Sequence, residues 1–238
     1  MTSDFSLGNR TLKIAILIPA RFNSTRFPGK ALHELDGTPM AKLVFQRCSC
    51  TGLDTFLVSD DKRICDLAGK RGLLTSQYCE NGTARCAEAA QKLTDYDAFI
   101  NVQGDMPDVT VDIIHKIANA LQTSELVTAY TKMTTNELSN PNSVKLIHNN
   151  DHAIWMCRAP LTYGDRHIGI YGYSRLMLEA YSKLPQSIPE KQEGLEQLRW
   201  LQARLTMKII QVEFNGVEIN EPRDVLIWED NRKYKSLA

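Results

Sequence analysis

The sequence predicts an α/β fold, a doubly wound and mostly parallel sheet with a small antiparallel insertion, and three observations carry that expectation. KIAILI, residues 13–18, is a continuous apolar run with the length of a buried strand. After it, strand-like and helix-like hydrophobic periods alternate through the first half, the order that builds a parallel sheet with helices on both faces. In the second half, SVKLIHNNDHAIWMCR sets two β-rich runs around a polar Asn149-Asn150-Asp151 turn, the pattern of an antiparallel hairpin.

Each element follows from its local pattern. The first strand runs into a loop, IPARFNSTRFPGK (18–30), and a helical stretch, MAKLVFQRCSC, begins at about residue 40. TFLVSDD is a second strand entering a helix that Asp60 or Asp61 can cap through its side chain. RGLLTSQY reads as a short strand, TARCAEAAQKL as a helix and DAFINVQGD as a strand ending in polar residues. VTVDIIHKIANALQ has helical spacing through Val111, Ile114, Ile117, Ala118 and Leu121. Beyond the hairpin, RHIGIYGYS is a strand and RLMLEAYSKL a helix. EKQEGLEQLRWLQARL is predicted as one longer helix, with Leu195, Leu198, Leu201 and Leu205 on one face. MKIIQVEF is a late strand and EPRDVLIWEDNRKY a closing helix. With no repeat, low-complexity segment or dividing linker, residues 1–238 read as a single domain whose antiparallel insertion covers about 140–175.

Composition narrows the function. Hydrophobic residues make up 43% and charged residues 24%, which is ordinary for a globular chain. Lys plus Arg and Asp plus Glu balance at 28 each, so the overall charge points to no nucleic acid and no membrane surface, and a small partner is expected. The six cysteines show no C-x-x-C pair, which argues against a zinc site and for reduced thiols. The N-terminal apolar stretch is short, preceded by a polar ten-residue lead and broken by Pro19, so neither a signal sequence nor a membrane span is expected and the cytoplasm is the default.

In an open parallel sheet, ligands bind beyond the carboxyl ends of the strands. The loop at 18–30 falls there, as do SDDKR after the second strand and NVQGDMP (101–107) after the fourth. The loop is not a P-loop, because Ser24 and Ala31 stand where that motif needs Gly and Ser or Thr. It still offers Arg21, Arg26 and Lys30 as cationic donors, and Gly29 lets the backbone approach a ligand, which suits a polyphosphate. By itself such a loop reads equally as a solvated surface turn. Asp105 could hold Mg²⁺ against phosphate oxygens, or simply form a turn. ENGTAR (80–85) opens a helix whose N–H groups could meet an anion or a base edge, or be merely well capped. Arg158, His167 and Tyr171 could recognise a carboxylated, hydroxyl-rich substrate, with a structural role for His167 as the alternative.

Taken in order, IPARFNSTRFPGKAL, GTPM, VSDD, NGTARCAEA, NVQGDMP, NPNSVK, CRAP, HIGIYGYS and LEQLRWL resemble the 3-deoxy-manno-octulosonate (Kdo) cytidylyltransferases. The likeness runs from about residue 13 to 230. It implies a nucleotide-diphospho-sugar transferase fold, a homodimer built partly on the 140–175 insertion, and Mg²⁺ as cofactor. It also implies a reaction: CTP and the sugar acid give CMP-Kdo and pyrophosphate, for lipopolysaccharide-type glycan synthesis. By position in the shared motifs, Arg21 and Lys30 would contact the triphosphate, with Ser24 and Arg26 shaping the loop. Gln103 would meet the ribose region and Asp105 the metal, so that Arg21, Lys30 and Asp105 form the catalytic group. Asn81 and Gly82 would lie against the cytosine with Arg85 nearby, and Arg158, His167, Tyr171, Glu196 and Gln197 would form the sugar-acid pocket.

Three positions depart from the family pattern. INEPRDV stands for the usual VDTPED, so Asn220 takes the place of a second magnesium aspartate and can offer only an uncharged amide oxygen. Met106 replaces an acidic residue in QGDEP, and Ala84 replaces the Asp of SGTDR. The segment between CRAP and HIGIYGY is also short, which trims the pocket rim. A neighbouring carboxylate such as Glu218 or Glu221 compensates, or the enzyme is slower, or its sugar acid differs, or catalysis is lost. The alternatives to a Kdo enzyme are therefore a weakened nucleotide-binding homologue and a cytidylyltransferase for another ulosonic acid.

Overall fold

The computed structural model describes residues 11–236, so the polar lead at 1–10 lies outside the described residues. Strand β1 (Ile14–Pro19) is buried along its whole length, because helices cover both faces of the sheet. That double burial is why KIAILI is uniformly apolar rather than alternating. Helix α1 (Met40–Ser49) returns the chain to β2 (Asp54–Ser59). Asp61 accepts from the Arg63 N–H at 2.8 Å and so caps α2 (Lys62–Asp66), ahead of β3 (Gly72–Leu74). Then follow α3 (Gly82–Gln91), β4 (Ala98–Val102) and α4 (Val111–Leu121), whose N-cap Thr110 accepts from the Ile113 N–H.

Next come β5 (Leu126–Thr131) and α5 (Thr135–Ser139), neither anticipated from sequence. The hairpin is β6 (Lys145–Asn149) with β7 (His152–Cys157), and β8 (Asp165–Ser174) leads into α6 (Arg175–Tyr181). The single helix expected near residue 190 is two, α7 (Ile188–Glu193) and α8 (Leu198–Gln202). Gly194 at φ 62° ends the first, and the Leu195 N–H closes back on the Glu190 carbonyl at 3.2 Å. Strand β9 (Lys208–Gln211) and helix α9 (Pro222–Ser236) complete the order.

The nine strands of the main sheet run β3-β2-β1-β4-β8-β5-β9-β7-β6. Strands β3, β2, β1 and β4 are parallel neighbours, as predicted. The antiparallel part is not set to one side, however. Strand β8 runs through the middle of the sheet, antiparallel to both β4 and β5, and β6 and β7 extend the far edge. HIGIYGY occupies a central strand because most of it is buried.

Side-chain alternation splits β1 between two cores. Ile14, Ile16 and Ile18 pack with Val44 of α1 and Ile113 and Ile117 of α4, while Ala15 and Leu17 pack with Cys86 and Ala90 of α3 and Tyr181 of α6. A third cluster joins Phe27 and Met40 to Ile219, Val225 and Trp228, pinning the loop after β1 against α9. The six cysteines are unpaired thiols. Among the described residues no helix is long and apolar enough to cross a membrane.

Candidate functional site

A cavity of about 1120 Å³ opens at the carboxyl ends of β1 and β4, and the catalytic, nucleotide, sugar-acid and metal residues expected from the family motifs line it, whereas Glu221 does not. Phe27, buried in the third cluster, anchors the cationic loop, and Gly29 makes its turn at φ 73°. Lys30 follows on a single 3₁₀ turn and donates its ammonium to Asp105 Oδ2 at 2.6 Å, with both side chains mostly buried. Arg26 reaches Asn220 Oδ1 at 3.1 Å. Gly104 packs closely where β4 ends, since a Cβ there would lie 3.1 Å from the Pro19 carbonyl and 3.2 Å from the Ala20 methyl. This close approach brings Asp105 beside the loop.

The cap reading of Asn81 is the one its side chain follows. Its Oδ1 accepts from the Ala84 N–H at 2.8 Å and its Nδ2 donates to the Tyr181 hydroxyl at 2.7 Å. Asn81 and Gly82 both line the cavity beside the N–H groups of the helix start. Glu196 Oε2 accepts the Thr83 N–H at 3.2 Å, so one carboxylate already sits at that helix start. Burial pushes the Glu196 carboxyl up. Arg85 is buried and holds the ends of β2 and β3 together, donating to Thr75 Oγ1 at 2.6 Å and lying 3.4 Å from Asp60.

On the other wall, β8 carries a bulge. Ile168 pairs with Ala129 and Tyr171 with Thr128, so Gly169 and Ile170 have no counterpart in β5. Thr128 fills the gap: its hydroxyl donates to the Ile170 carbonyl at 2.8 Å and receives His167 Nε2–H at 2.9 Å. This assignment leaves His167 Nδ1 as an acceptor. Burial, reinforced by Arg158 and Arg166, lowers the His167 pKa to about 3, so the ring is neutral at pH 7. Tyr171 takes a hydrogen bond from Gln197 Nε2, and Gln197 Oε1 is buried with no partner. Arg158 is held by the Glu193 carbonyl at 3.1 Å and the Pro141 carbonyl at 3.3 Å. Burial, and then Arg26, pull its pKa down, although a guanidinium remains charged.

The His167 environment gives a stability prediction. Its folded pKa lies below the unfolded value of 6.5, so the unfolded chain gains the proton first on acidification. This contribution is complete above pH 6.5 and is lost as pH falls toward 3. Between pH 7 and 5 it amounts to roughly 1–2 kcal/mol. Urea melts of His167→Gln should therefore show a shallower loss over that interval than wild type, and coincident slopes would refute the assignment.

Two of the three departures become clear. Met106 is fully buried in the core around β4, so its side chain replaces an acidic residue in packing rather than at the cavity surface. Ala84 packs against the second core. Asn220, in contrast, does line the cavity. The short connection after Arg158 crosses to α5, where the Leu161 N–H meets the Leu138 carbonyl at 3.1 Å.

Two residues escaped sequence reasoning, and a third had its role left open. Arg166 lines the cavity and pairs with Glu137 at 3.2 Å; its position next to His167 in RHIGIYGYS was the available signal. Arg199 is buried and grips Glu190 at 2.6 Å and Glu80 at 2.9 Å; as a charge within LEQLRWL it could have been noticed. Glu218 was named only as a substitute for Asn220. Its carboxyl end is buried and its Oε1 has no partner. Burial pushes its pKa up, Arg166 opposes this and Asp105 adds to it.

Residues 15–209 match the family model described as cytidylyltransferase. The chain is 34% identical to a 3-deoxy-manno-octulosonate cytidylyltransferase of Fusobacterium nucleatum, over 91% of this chain and 96% of that one. It is 33% identical to an 8-amino-3,8-dideoxy-manno-octulosonate cytidylyltransferase of Shewanella pealeana, over 92% and 98% of the two chains. A solved CMP:2-keto-3-deoxy-manno-octonic acid synthetase complexed with CTP superposes with a TM-score of 0.85 at 30% identity, covering 94% of this chain and 99% of that one.

Proposed function

The chain belongs to the 3-deoxy-manno-octulosonate cytidylyltransferase family, and from that premise we propose that it joins CMP from CTP to a sugar acid of the Kdo class, releasing pyrophosphate. The observation that carries this reading is the single cavity with two unlike halves. One half holds the cationic loop and the Lys30–Asp105 pair, and the other holds Arg158, Arg166, His167, Tyr171 and Gln197. Arg21, Arg26 and Lys30 bind and orient the triphosphate. The start of α3 receives the base. Arg158 and Arg166 hold the sugar carboxylate, while the acceptors His167 Nδ1, Glu196 and Gln197 Oε1 take its hydroxyls. The anomeric hydroxyl then attacks the α-phosphorus in line, and pyrophosphate leaves toward Lys30. Alignment and fixed charge supply most of the rate.

The site suits a divalent cation shared with phosphate oxygens. Among the described residues no group of three or more His, Cys, Asp or Glu side chains is placed to hold a metal. Magnesium, however, is commonly held by one or two carboxylates plus substrate phosphates. Asp105 supplies one such carboxylate, and the partnerless Glu218 Oε1 is an orphaned acceptor in the same region. Mg²⁺ there would neutralise charge on the phosphates. We extend the proposal to a homodimer acting in the cytoplasm on a precursor of lipopolysaccharide-type glycans.

The test is pyrophosphate release from a panel of Kdo, 8-amino-Kdo and nine-carbon ulosonic acids with each of the four nucleoside triphosphates. Release with CTP and an eight-carbon acid is expected. Intact CTP binding with no release from any acid would favour the weakened homologue that Asn220 suggests. A second expectation concerns Arg158→Met, which should raise KM for the sugar acid by about ten- to a hundredfold, the value of hydrogen bonds to a charged group. KM for CTP should hardly change; an equal rise in both would remove Arg158 from the sugar pocket.

A further inference from the structure

Around Asn220 the charges are already committed, with one exception. Arg26 donates to the Asn220 amide oxygen at 3.1 Å, so that oxygen has a partner. Glu221 turns to Arg223 at 3.1 Å and Arg26 at 3.9 Å. Asp224 Oδ2 accepts the N–H groups of Asn220 and Glu221 at the start of α9, at 2.8 and 2.9 Å. Glu218 is the exception in part: the Gly169 N–H lies against its carboxylate, but its Oε1 is buried with no partner. Glu218 and Asn220 flank Ile219, whose side chain is buried in the third cluster, and both line the cavity. The Ile219 N–H donates to the Asp105 carbonyl at 3.0 Å, which docks this segment directly alongside Asp105.

Asp105 and the buried end of Glu218 therefore face the same corner of the cavity, where like charges repel. Lys30 relieves Asp105 on one side. Arg166 and Arg158 act on Glu218 through their charge, yet nothing donates a hydrogen bond to its Oε1. Two carboxylates with phosphate oxygens between them form a ligand set that magnesium favours, and an arginine or lysine cannot bridge it in the same way. We infer that Glu218 supplies the second carboxylate of the divalent-cation site, restoring two residues upstream the charge that Asn220 lacks. This rests on the nucleotidyl-transfer reading above.

The experiment is Mn²⁺ binding to the full-length protein, read by electron paramagnetic resonance of the free ion, with and without CTP. Glu218→Gln should weaken Mn²⁺ binding tenfold or more, Glu218→Asp should weaken it less, and Glu218→Gln with Asn220→Asp should recover most of the loss. Glu218→Ala gives the same reading if the amide variant fails to fold by circular dichroism. Unchanged Mn²⁺ affinity in these variants overturns the assignment. So does a raised KM for the sugar acid with unchanged Mn²⁺ affinity, which would place Glu218 on the substrate. CTP binding to wild type with Mg²⁺ present is measured alongside: its absence refutes the cytidylyltransferase reading itself, whereas its presence confines any failure to Glu218.

Discussion

Lys30→Ala is expected to lower kcat/KM for CTP by about 10²- to 10³-fold, the cost of removing one preorganised charged donor from a transition state. The ammonium lies 2.6 Å from Asp105 Oδ2, and only 17% of the Lys30 side chain is exposed, so its position is fixed before substrate arrives. The backbone turn at Gly29 and the buried Phe27 set that position from behind. Because negative charge grows on the departing pyrophosphate, the loss should fall on kcat as well as on KM. Lys30→Arg should recover only part of it, since a planar fork does not reproduce a compact ammonium. Steady-state kinetics with CTP varied at saturating sugar acid decides the matter. A loss smaller than about threefold would place the phosphate grip on Arg21 and Arg26 instead.

The parallel half of the fold was legible because each of its strands is covered on both faces and each helix has a cap or a clear period. KIAILI and the Asp61 cap are examples. The second half was harder to read for specific physical reasons. Leu126–Thr131 mixes two threonines and a tyrosine with apolar residues, and Thr128 is buried only because it satisfies the bulge in β8. That partner lies 42 residues away, beyond the reach of local pattern. The hydrophobic period begins at Leu195, just after Gly194, and the polar run at 190–193 before it is also helix-forming, so one helix is expected where a left-handed glycine makes two. The central place of β8 depends on which strands it pairs with, and a strand pattern does not state its neighbours.

For the site, motif order was more informative than residue type. Lys30, Asp105 and Asn220 lie far apart in sequence and converge because the loop after β1, the end of β4 and the start of α9 share one corner, fastened by Phe27, Ile219 and Trp228. Burial, on which roles depend, could not be read in advance. Met106, which stands where the family has an acidic residue, is a core residue, and of the two carboxylates offered in place of Asn220, Glu218 has a buried carboxyl oxygen while Glu221 pairs with Arg223.

Arg199→Ala is expected to cost about 3–5 kcal/mol of stability, the largest stability loss foreseen for a change outside the catalytic group. Arg199 is 2% exposed and Glu190 3%, and two hydrogen bonds of 2.9 and 2.6 Å join them. Burying both charges is itself expensive, so the pair need not add net stability. Removing one partner, however, leaves Glu190 as an uncompensated charge in a dry site. The Arg199 guanidinium also stacks 4.2 Å from the Tyr181 ring, whose hydroxyl receives Asn81 Nδ2, and it holds Glu80 next to that cap. The damage should therefore reach the nucleotide side of the cavity, lowering the melting temperature by roughly 10 °C and raising KM for CTP while leaving the sugar-acid KM nearer its original value. The double variant Arg199→Met with Glu190→Leu removes both charges and should recover much of the lost stability, because a buried ion pair can be exchanged for apolar packing. Chemical denaturation of Arg199→Met, Glu190→Leu and the double variant closes the cycle. If Arg199→Ala costs less than about 1 kcal/mol, or if the double variant is as unstable as the sum of the singles, the network is not the element that holds α7 and α8 against the start of α3.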